Sequence, residues 1–326
     1  MKQFEYVRPT EPIAAIRALG KEDAGYFLAG GTNLVDLMKM HVVDANRIVD
    51  ITRLPLKEIQ KKPGVLSIGA LTTNTAAAES SMVKEHSPLL ALAINAGASP
   101  QLRNMATMGG NLMQRTRCGY FFDLAMPCNK RNPGSGCGAL EGYNRMHAIF
   151  GASEKCIAVN PSDMNVALAA LDAAVHVSGA KGDRNIKIAD FHRLPGDHPE
   201  LDNTLQKGEL ITSVDLPDSA FTKNIAYLKV RDRTSYAFAL VSAAAALQID
   251  GGIIKDARIA MGGVAHKPWR MQEAESFLRG KRATESNFSK AAALSFAGAK
   301  AYEHNRFKLK LGPNTMIQAL KTAAGI

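Results

Sequence analysis

The sequence Tyr26-Phe27-Leu28-Ala29-Gly30-Gly31-Thr32-Asn33-Leu34 joins an apolar run to a helical pattern through two glycines. Residues 26–29 predict a short buried strand, and the apolar positions of 34–40 share one helical face. Asn33 suits the N-cap, and Asp36 suits the electropositive first turn. Glycines let a backbone approach a ligand, and helix N-termini bind anions, so this turn predicts a phosphate cradle. A tight capped turn without a ligand is the alternative.

A second glycine turn, Thr107-Met108-Gly109-Gly110-Asn111, again places Gly-Gly-Asn beside a threonine. Two such turns would hold one diphosphate from two sides; coincidence is the alternative, because glycine pairs are common. The chain has no G-x-G-x-x-G after a strand, since the similar run 134–138 lies among prolines. It also lacks a Walker-type loop, a G-x-S-x-G elbow and an H-E-x-x-H motif, so Rossmann, kinase and hydrolase assignments lose their usual support.

The remaining pattern indicates an N-terminal region of mixed strands and helices. Further strands are predicted at 47–51, 66–69, 174–177, 184–188 and 208–216, and helices after Thr73, from Pro88 to Gly97, and at 166–171. A domain boundary is expected near 217–224, where Pro-Asp-Ser interrupts the pattern. Beyond it we expect an α+β module with a strand at 225–230, a hairpin of 239–249 and 257–264, and helices at 271–278, 286–302 and 313–323.

Size and charge exclude several classes of protein. A chain of 326 residues predicts two or three domains. The longest apolar run, 237–247, is too short to cross a bilayer, and residues 1–6 lack the apolar core of a secretory signal. The net charge of +10 is spread without a dense basic run, which argues against nucleic-acid binding. A basic face that docks on an acidic partner subunit is expected, with solubility as the alternative.

All four cysteines, Cys118, Cys128, Cys137 and Cys156, lie in one segment rich in Gly, Pro and Arg. A connection this long without clear elements needs its own organiser. Structural zinc normally shows paired C-x2-4-C knuckles, which are absent, and disulfides need an oxidising compartment. A four-iron, four-sulfur cluster accepts irregular spacing, so spacing alone favours it modestly over the other two. Nearby cations would offset cluster charge, unless they are simply solvated: Arg115, Arg117, Lys130, Arg131, Arg145 and Lys155.

Several motifs together resemble the FAD-binding subunit of the molybdenum hydroxylases, a family that includes xanthine dehydrogenase, carbon monoxide dehydrogenase and aldehyde oxidoreductases. The motifs are Ala29 to Leu34, Ile68-Gly69-Ala70, Thr107 to Asn111, Ser162-Asp163, Lys229-Val230 and the run from Gly262 to Arg270. They cover nearly the whole chain and are specific only in combination. The resemblance implies a p-cresol methylhydroxylase (vanillyl-alcohol oxidase) type of two-part FAD-binding domain at 1–220 and a small C-terminal α+β domain at 221–326.

This sequence departs from most of the family between Asn111 and Asp163, where an insertion of about residues 113–160 carries every cysteine. The departure resembles the flavin subunits of 4-hydroxybenzoyl-CoA reductase and of bacterial periplasmic aldehyde oxidoreductase, with the second more similar around the cysteines. Both hold an extra four-iron, four-sulfur cluster in such an insertion. The resemblance therefore implies that Cys118, Cys128, Cys137 and Cys156 ligate a 4Fe-4S cluster.

The resemblance also implies the residues that bind FAD: Leu28, Ala29, Gly30, Gly31, Thr32, Asn33, Leu34, Thr107, Gly109, Gly110, Asn111, Asp163 and Lys229. The two glycine turns would wrap the diphosphate with backbone amides, and Asp163 would accept hydrogen bonds from ribityl or ribose hydroxyls. Lys229 would contact the cofactor, with a strand lysine facing solvent as the alternative. His266 and Trp269 are expected to shape a turn or core contact. No catalytic acid–base pair is implied.

The function implied is an electron-transfer subunit of a heterotrimer. A large molybdopterin subunit would oxidise an aldehyde, and electrons would pass through the 2Fe-2S clusters of a small subunit to FAD and then to an external acceptor. A self-sufficient flavoprotein reductase using NAD(P)H and a non-catalytic zinc-stapled interaction module are the alternatives. The resemblance favours a periplasmic location by co-export with a partner that carries a signal, whereas the N-terminus alone favours the cytoplasm.

Overall fold

A computed structural model describes residues 1–20 and 24–326 of the chain. Its strands are β1 (Glu5–Val7), β2 (Gly25–Leu28), β3 (Arg47–Asp50), β4 (Ile59–Lys62), β5 (Val65–Gly69), β6 (Ala174–Gly179), β7 (Gly182–Lys187), β8 (Leu210–Pro217), β9 (Ile225–Val230), β10 (Val241–Asp250), β11 (Ile253–Gly262) and β12 (Trp269–Arg270). Its helices are α1 (Pro12–Leu19), α2 (Leu34–Lys39), α3 (Asn74–Glu79), α4 (Ser81–His86), α5 (Pro88–Ala96), α6 (Pro100–Arg103), α7 (Met108–Leu112), α8 (Gly119–Phe122), α9 (Asp163–Ala170), α10 (Ile188–Phe191), α11 (Gln272–Leu278), α12 (Glu285–Phe296) and α13 (Lys308–Ala324).

The N-terminal unit is a parallel sheet of order β1-β3-β2, with α2 following β2. This confirms the strand–glycine–helix junction. The side chain of Asn33 does not cap α2, although it occupies the N-cap position. Instead its Oδ1 accepts a hydrogen bond from the Arg115 backbone N–H at 2.8 Å. The prediction that the Asn33 side chain caps α2 is therefore wrong, because its oxygen is hydrogen-bonded to a residue distant in sequence.

The second sheet is antiparallel, of order β4-β5-β8-β6-β7, and packs against α3, α5 and α9. Every residue of α9 is buried. Its residues 166–170 are apolar on all sides, which favours a position inside the protein, and α9 packs between this sheet region and the C-terminal sheet. Asp163, the first residue of α9, is therefore buried beside strand β9.

The C-terminal sheet is antiparallel, of order β12-β11-β10-β9, and α11, α12 and α13 pack against it. Strand β10 is buried on both faces. Ala244 and Ala246 belong to the core around α9, while Ala243 and Ala245 belong to the core under the C-terminal helices. Because side chains alternate along a strand, burial of both faces explains why β10 contains most of the longest apolar run of the chain. The predicted α+β architecture is confirmed.

Two C-terminal helices differ from the expected bounds. Helix α12 ends at Phe296, and α13 begins at Lys308, five residues before Pro313. Lys308 is fully buried, and its Nζ donates to the carbonyl oxygens of His147 and Gly263 at 2.9 and 2.7 Å. This tertiary anchor starts the helix upstream of the proline, which a local pattern does not reveal. No helix in the described ranges combines the length and apolarity that a membrane crossing requires.

Trp269 stacks on Phe150 in the C-terminal core, with ring centroids 5.1 Å apart and planes inclined by 6°. His266 is buried, and its Nδ1 lies 2.9 Å from the carbonyl oxygen of Arg193. Both residues make core contacts, as expected.

His192 connects the second sheet region to α7. Its Nε2 lies 3.0 Å from the Leu112 carbonyl oxygen, and burial lowers the pKa of the imidazole to about 4. Burial also lowers the pKa of His147 and of His266 to about 4. The unfolded chain, whose histidines have pKa values of about 6.5, binds more protons than the native chain between these values.

We therefore expect the free energy of unfolding to fall as the pH drops from about 6.5 to about 4. His192→Asn should make this fall shallower, because an amide keeps a donor for Leu112 and does not titrate. Urea midpoints measured across that window test the expectation. His41→Asn, at an exposed position, is the matched control. Equal pH dependence in wild type and His192→Asn would contradict it.

Candidate functional site

A cavity of about 1360 Å³ runs between the N-terminal unit, the second sheet region and the cysteine segment. Its volume exceeds that of an ordinary small-molecule pocket and suits a dinucleotide. Of the predicted cofactor-binding residues, those that line it are Ala29, Gly30, Gly31, Thr32, Asn33, Leu34, Thr107, Gly109, Gly110, Asn111 and Asp163. Leu28 and Lys229 are not among the lining residues. The fold thus brings the two glycine turns to one cavity.

The first glycine turn lies against the backbone that precedes the second. A Cβ at position 30 would overlap the carbonyl group of Met105, so only glycine permits this approach. Gly31 has a φ of +73°, in the left-handed region that favours glycine. The two glycines therefore have separate steric reasons to be there, one for packing and one for the turn.

The two turns differ in the state of their amides. Among the described residues, the backbone N–H groups of residues 30–33 have no protein acceptor. In the second turn, the amide of Gly109 donates to the Ala70 carbonyl oxygen at 2.8 Å, and that of Gly110 donates to Thr107 Oγ1 at 3.1 Å. The amides of Met108 and Asn111 also donate within the fold. Amides available to a phosphate are thus concentrated in the first turn.

The cavity wall also contains buried polar atoms without a hydrogen-bond partner among the described residues. Among them are Asn33 Nδ2, Asn74 Oδ1 and Arg117 Nε. Buried polar groups are normally paired, so unpaired ones that line a cavity indicate a polar ligand. Together with the glycine cradle, these atoms fit a nucleotide cofactor.

The Ile68-Gly69-Ala70 motif supports the second turn from below. Besides accepting from Gly109, Ala70 would contact a Cβ at position 109 at 3.2 Å. A Cβ at position 69 would overlap the Leu56 carbonyl group. The motif therefore positions α7, and Ala70 also lines the cavity.

Asp163 is held by two donors from β9. Its Oδ1 accepts from Tyr227 Oη and its Oδ2 accepts from Lys229 Nζ, both at 2.7 Å. The carboxylate side chain is 7% exposed and that of Lys229 is 4% exposed, so the pair is buried and Lys229 does not face solvent. Burial and the Asp163 charge raise the pKa of Tyr227, which keeps its hydroxyl a donor.

Tyr227 was not foreseen from the sequence. It lies two positions before Lys229 on β9, so the period-two pattern of a strand places both side chains on one face. That alternation is the signal that identifies it once Lys229 and Asp163 are paired.

The four cysteines surround a second, smaller cavity and are all free thiols. Cys128 and Cys137 face each other across an isolated antiparallel bridge. Burial, with a smaller effect of the neighbouring cysteines, raises the pKa of the Cys118 thiol to about 12 and that of Cys156 to about 11. Thiolates in this site therefore require a cation for compensation. Within the described ranges, no three His, Cys, Asp or Glu side chains are grouped to hold a single metal ion.

The two cavities share part of their walls: Thr116, Cys118, Tyr120 and His147 line both. The cysteine segment is held in place by Lys130, whose buried Nζ donates to the Pro199 carbonyl oxygen and to Asp202, each at 2.6 Å. Arg115 donates to the same carboxylate. These cations lower the pKa of Asp202 to about 2 against the opposing effect of burial. Two of the cations expected beside a cluster are thus engaged by one carboxylate.

Comparison with known proteins agrees with this architecture. Residues 2–219 match the family model described as the FAD binding domain in molybdopterin dehydrogenase, and residues 226–302 match the CO dehydrogenase flavoprotein C-terminal domain. The chain is 47% identical to the aldehyde oxidoreductase FAD-binding subunit PaoB of Escherichia coli (strain K12) over 326 residues, covering 99% of each chain. It is 31% identical to the glyceraldehyde dehydrogenase medium chain of Sulfolobus acidocaldarius, covering 86% of this chain and 82% of that one.

Solved structures share the fold. Quinoline 2-oxidoreductase from Pseudomonas putida 86 aligns with a TM-score of 0.76 and 26% identity, covering 100% of this chain and 99% of that one. Carbon monoxide dehydrogenase from Hydrogenophaga pseudoflava aligns with a TM-score of 0.78 and 24% identity over 99% and 98% of the two chains, a likeness of fold alone. The chain belongs to the FAD-binding medium subunits of the molybdenum hydroxylase family, which are oxidoreductase subunits. The predicted family is confirmed.

We expect Gly30→Ala to weaken FAD binding by about tenfold or more, because overpacking by one methyl costs about 1–3 kcal/mol and separates the two turns. Flavin retained per chain after gel filtration measures this. Gly298→Ala is the matched control, since a Cβ there meets open space. Equal flavin content in the two variants would contradict the expectation.

Removing one member of the buried Asp163–Lys229 pair leaves an uncompensated charge. We expect Lys229→Met to lower the free energy of unfolding by about 3–5 kcal/mol. Combining it with Asp163→Asn should restore part of that loss, because no buried charge remains. Chemical denaturation of the two single variants and the double variant forms the test; additive losses would contradict it.

Proposed function

We propose that this chain is the FAD- and iron–sulfur-containing electron-transfer subunit of a molybdenum-dependent aldehyde oxidoreductase. The observation that carries the proposal is that both glycine turns and Asp163 line one dinucleotide-sized cavity. The relation to an aldehyde oxidoreductase subunit over the full length supports the aldehyde class of substrate for the complex.

The cofactor would be gripped at its diphosphate by the free amides of residues 30–33, next to the unpaired Asn33 Nδ2. The second turn would act as the opposite wall, with Thr107 and Asn111 presenting side chains. Asp163, which Tyr227 and Lys229 hold by hydrogen bonds, would accept hydrogen bonds from sugar-type hydroxyls. Lys229 then acts through Asp163. Bound FAD supplies the electron-accepting chemistry, while the protein positions it and tunes its potential.

We also propose that Cys118, Cys128, Cys137 and Cys156 hold a 4Fe-4S cluster. Two facts support this: the thiols are free, and they line one cavity. A cluster distributes four thiolates over several irons, which suits the irregular sequence spacing of these cysteines, whereas structural zinc usually shows paired C-x2-4-C knuckles.

The proposed partners are a large molybdopterin subunit, which oxidises the aldehyde, and a small subunit with 2Fe-2S clusters that delivers electrons to this chain. An external acceptor would receive them. For location we propose the periplasm, reached by co-export with a partner that carries the signal. Cell fractionation of a strain that expresses the complex tests the location.

The central experiment is to purify the full chain without oxygen and to measure flavin, iron, acid-labile sulfide and zinc. We expect the protein to contain FAD, and to contain iron and acid-labile sulfide in amounts equal to each other. The flavin and the cluster together should give a yellow-brown colour. Cys137→Ser should lose iron and keep flavin, because Cys137 lines only the thiol cavity.

Colourless protein that contains zinc would contradict the proposal and favour the interaction module. Oxidation of NADH by the isolated chain at the rate of the complex would favour the self-sufficient reductase. Co-purification with molybdenum, and loss of aldehyde oxidation when this chain is omitted, support the electron-transfer subunit.

A further inference from the structure

His147 lies at the boundary between the two cavities. Its Nε2 is 3.2 Å from the sulfur of Cys118. Both residues line the large cavity proposed for FAD, here called the flavin cavity, and the small cavity around the four cysteines, here called the thiol cavity. In the part of the chain that the structure describes, this is the only contact between a histidine ring nitrogen and a cysteine sulfur. The imidazole thus contacts the thiol site on the side nearest to the flavin cavity.

The backbone of His147 is fixed by the C-terminal domain. Its carbonyl oxygen accepts from Lys308 Nζ at 2.9 Å and from Asn305 Nδ2 at 3.1 Å, and all three residues are buried. The backbone N–H of His147 donates to the Asn144 carbonyl oxygen at 3.1 Å. A residue held at both ends of its peptide, with a buried side chain, presents its ring in one orientation.

Cluster assembly would determine the proton position on this ring. A cysteine bound to iron has lost its proton, so its sulfur is only an acceptor. Nδ1 of His147 has no partner among the described residues, so a proton there would be a buried unpaired donor. The neutral ring therefore carries its proton on Nε2, pointing at the sulfur.

We propose that His147 is a positioning residue for the cluster: its Nε2–H donates a hydrogen bond to the Cys118 thiolate and raises the reduction potential of the cluster. The inference rests on the proposed 4Fe-4S site. A donor to a ligating sulfur withdraws electron density and stabilises the reduced cluster, because the added negative charge is shared with the N–H group. The residue thus favours electron occupancy of the cluster beside the flavin cavity.

The test is an EPR-monitored redox titration of the full chain and three variants. His147→Leu removes the donor and should lower the cluster potential, while His147→Gln keeps an N–H donor and should restore much of it. His304→Leu is the matched control. The ring of His304 packs on that of Tyr143 in the cysteine segment, with ring centroids 4.9 Å apart, and among the described residues it makes no contact with a cysteine. Iron and flavin contents are measured on every sample.

A potential unchanged in His147→Leu, with iron retained, would overturn this inference and leave the proposed function standing. Wild-type protein without iron would overturn the proposed cluster itself. If neither His147 variant folds, pulsed EPR of the reduced wild type labelled with 15N-histidine decides. A histidine nitrogen coupling to the cluster supports the hydrogen bond, and its absence overturns it.

Discussion

The close approach of Gly30 to the peptide group of Met105 is the constraint on which the site depends. It joins the parallel N-terminal unit to the segment that leads into the second turn, and it leaves no space for a side chain. Since the chain from Asn33 also reaches Arg115, the first turn is fixed to both flanks of the second. The cavity is therefore a consequence of two backbone segments packed together, rather than of one binding loop.

A buried ion pair stabilises the same assembly on the side of the C-terminal sheet. The buried pair of Asp163 and Lys229 connects the first residue of α9 to β9, across the join between the second sheet region and the C-terminal sheet. A carboxylate buried this way is stable only with its partner present, so the C-terminal sheet is coupled to the cavity wall. Strand β10 connects the same two regions through apolar contacts, because its two faces belong to the two different cores. The C-terminal sheet thus shapes the cavity without lining most of it.

Much of this could be predicted from the sequence, because local rules were sufficient. Periodicity and glycine turns identified β2, α2, β5 and the β10–β11 hairpin, and family motifs identified the cavity wall. Contacts between distant residues could not be predicted. Three features depend on partners far away in sequence: the contact of Asn33 with Arg115, the upstream start of α13 at Lys308, and the hydrogen bonds of the Met108 and Gly109 amides. Periodicity contains no information about such partners.

The cysteine segment follows the same logic with fewer regular elements. It contains the short α8 and isolated bridges, so backbone pairing alone does not hold it. Two buried lysines also hold the segment in place. Lys130 binds Asp202, and Lys308 binds the carbonyl oxygens of His147 and Gly263. Burial lowers the pKa of Lys308 to about 7, so this ammonium is stabilised only weakly where it lies. Its role is to fix the backbone at the edge of the cysteine site, because one carbonyl that it holds belongs to His147, the residue in contact with Cys118.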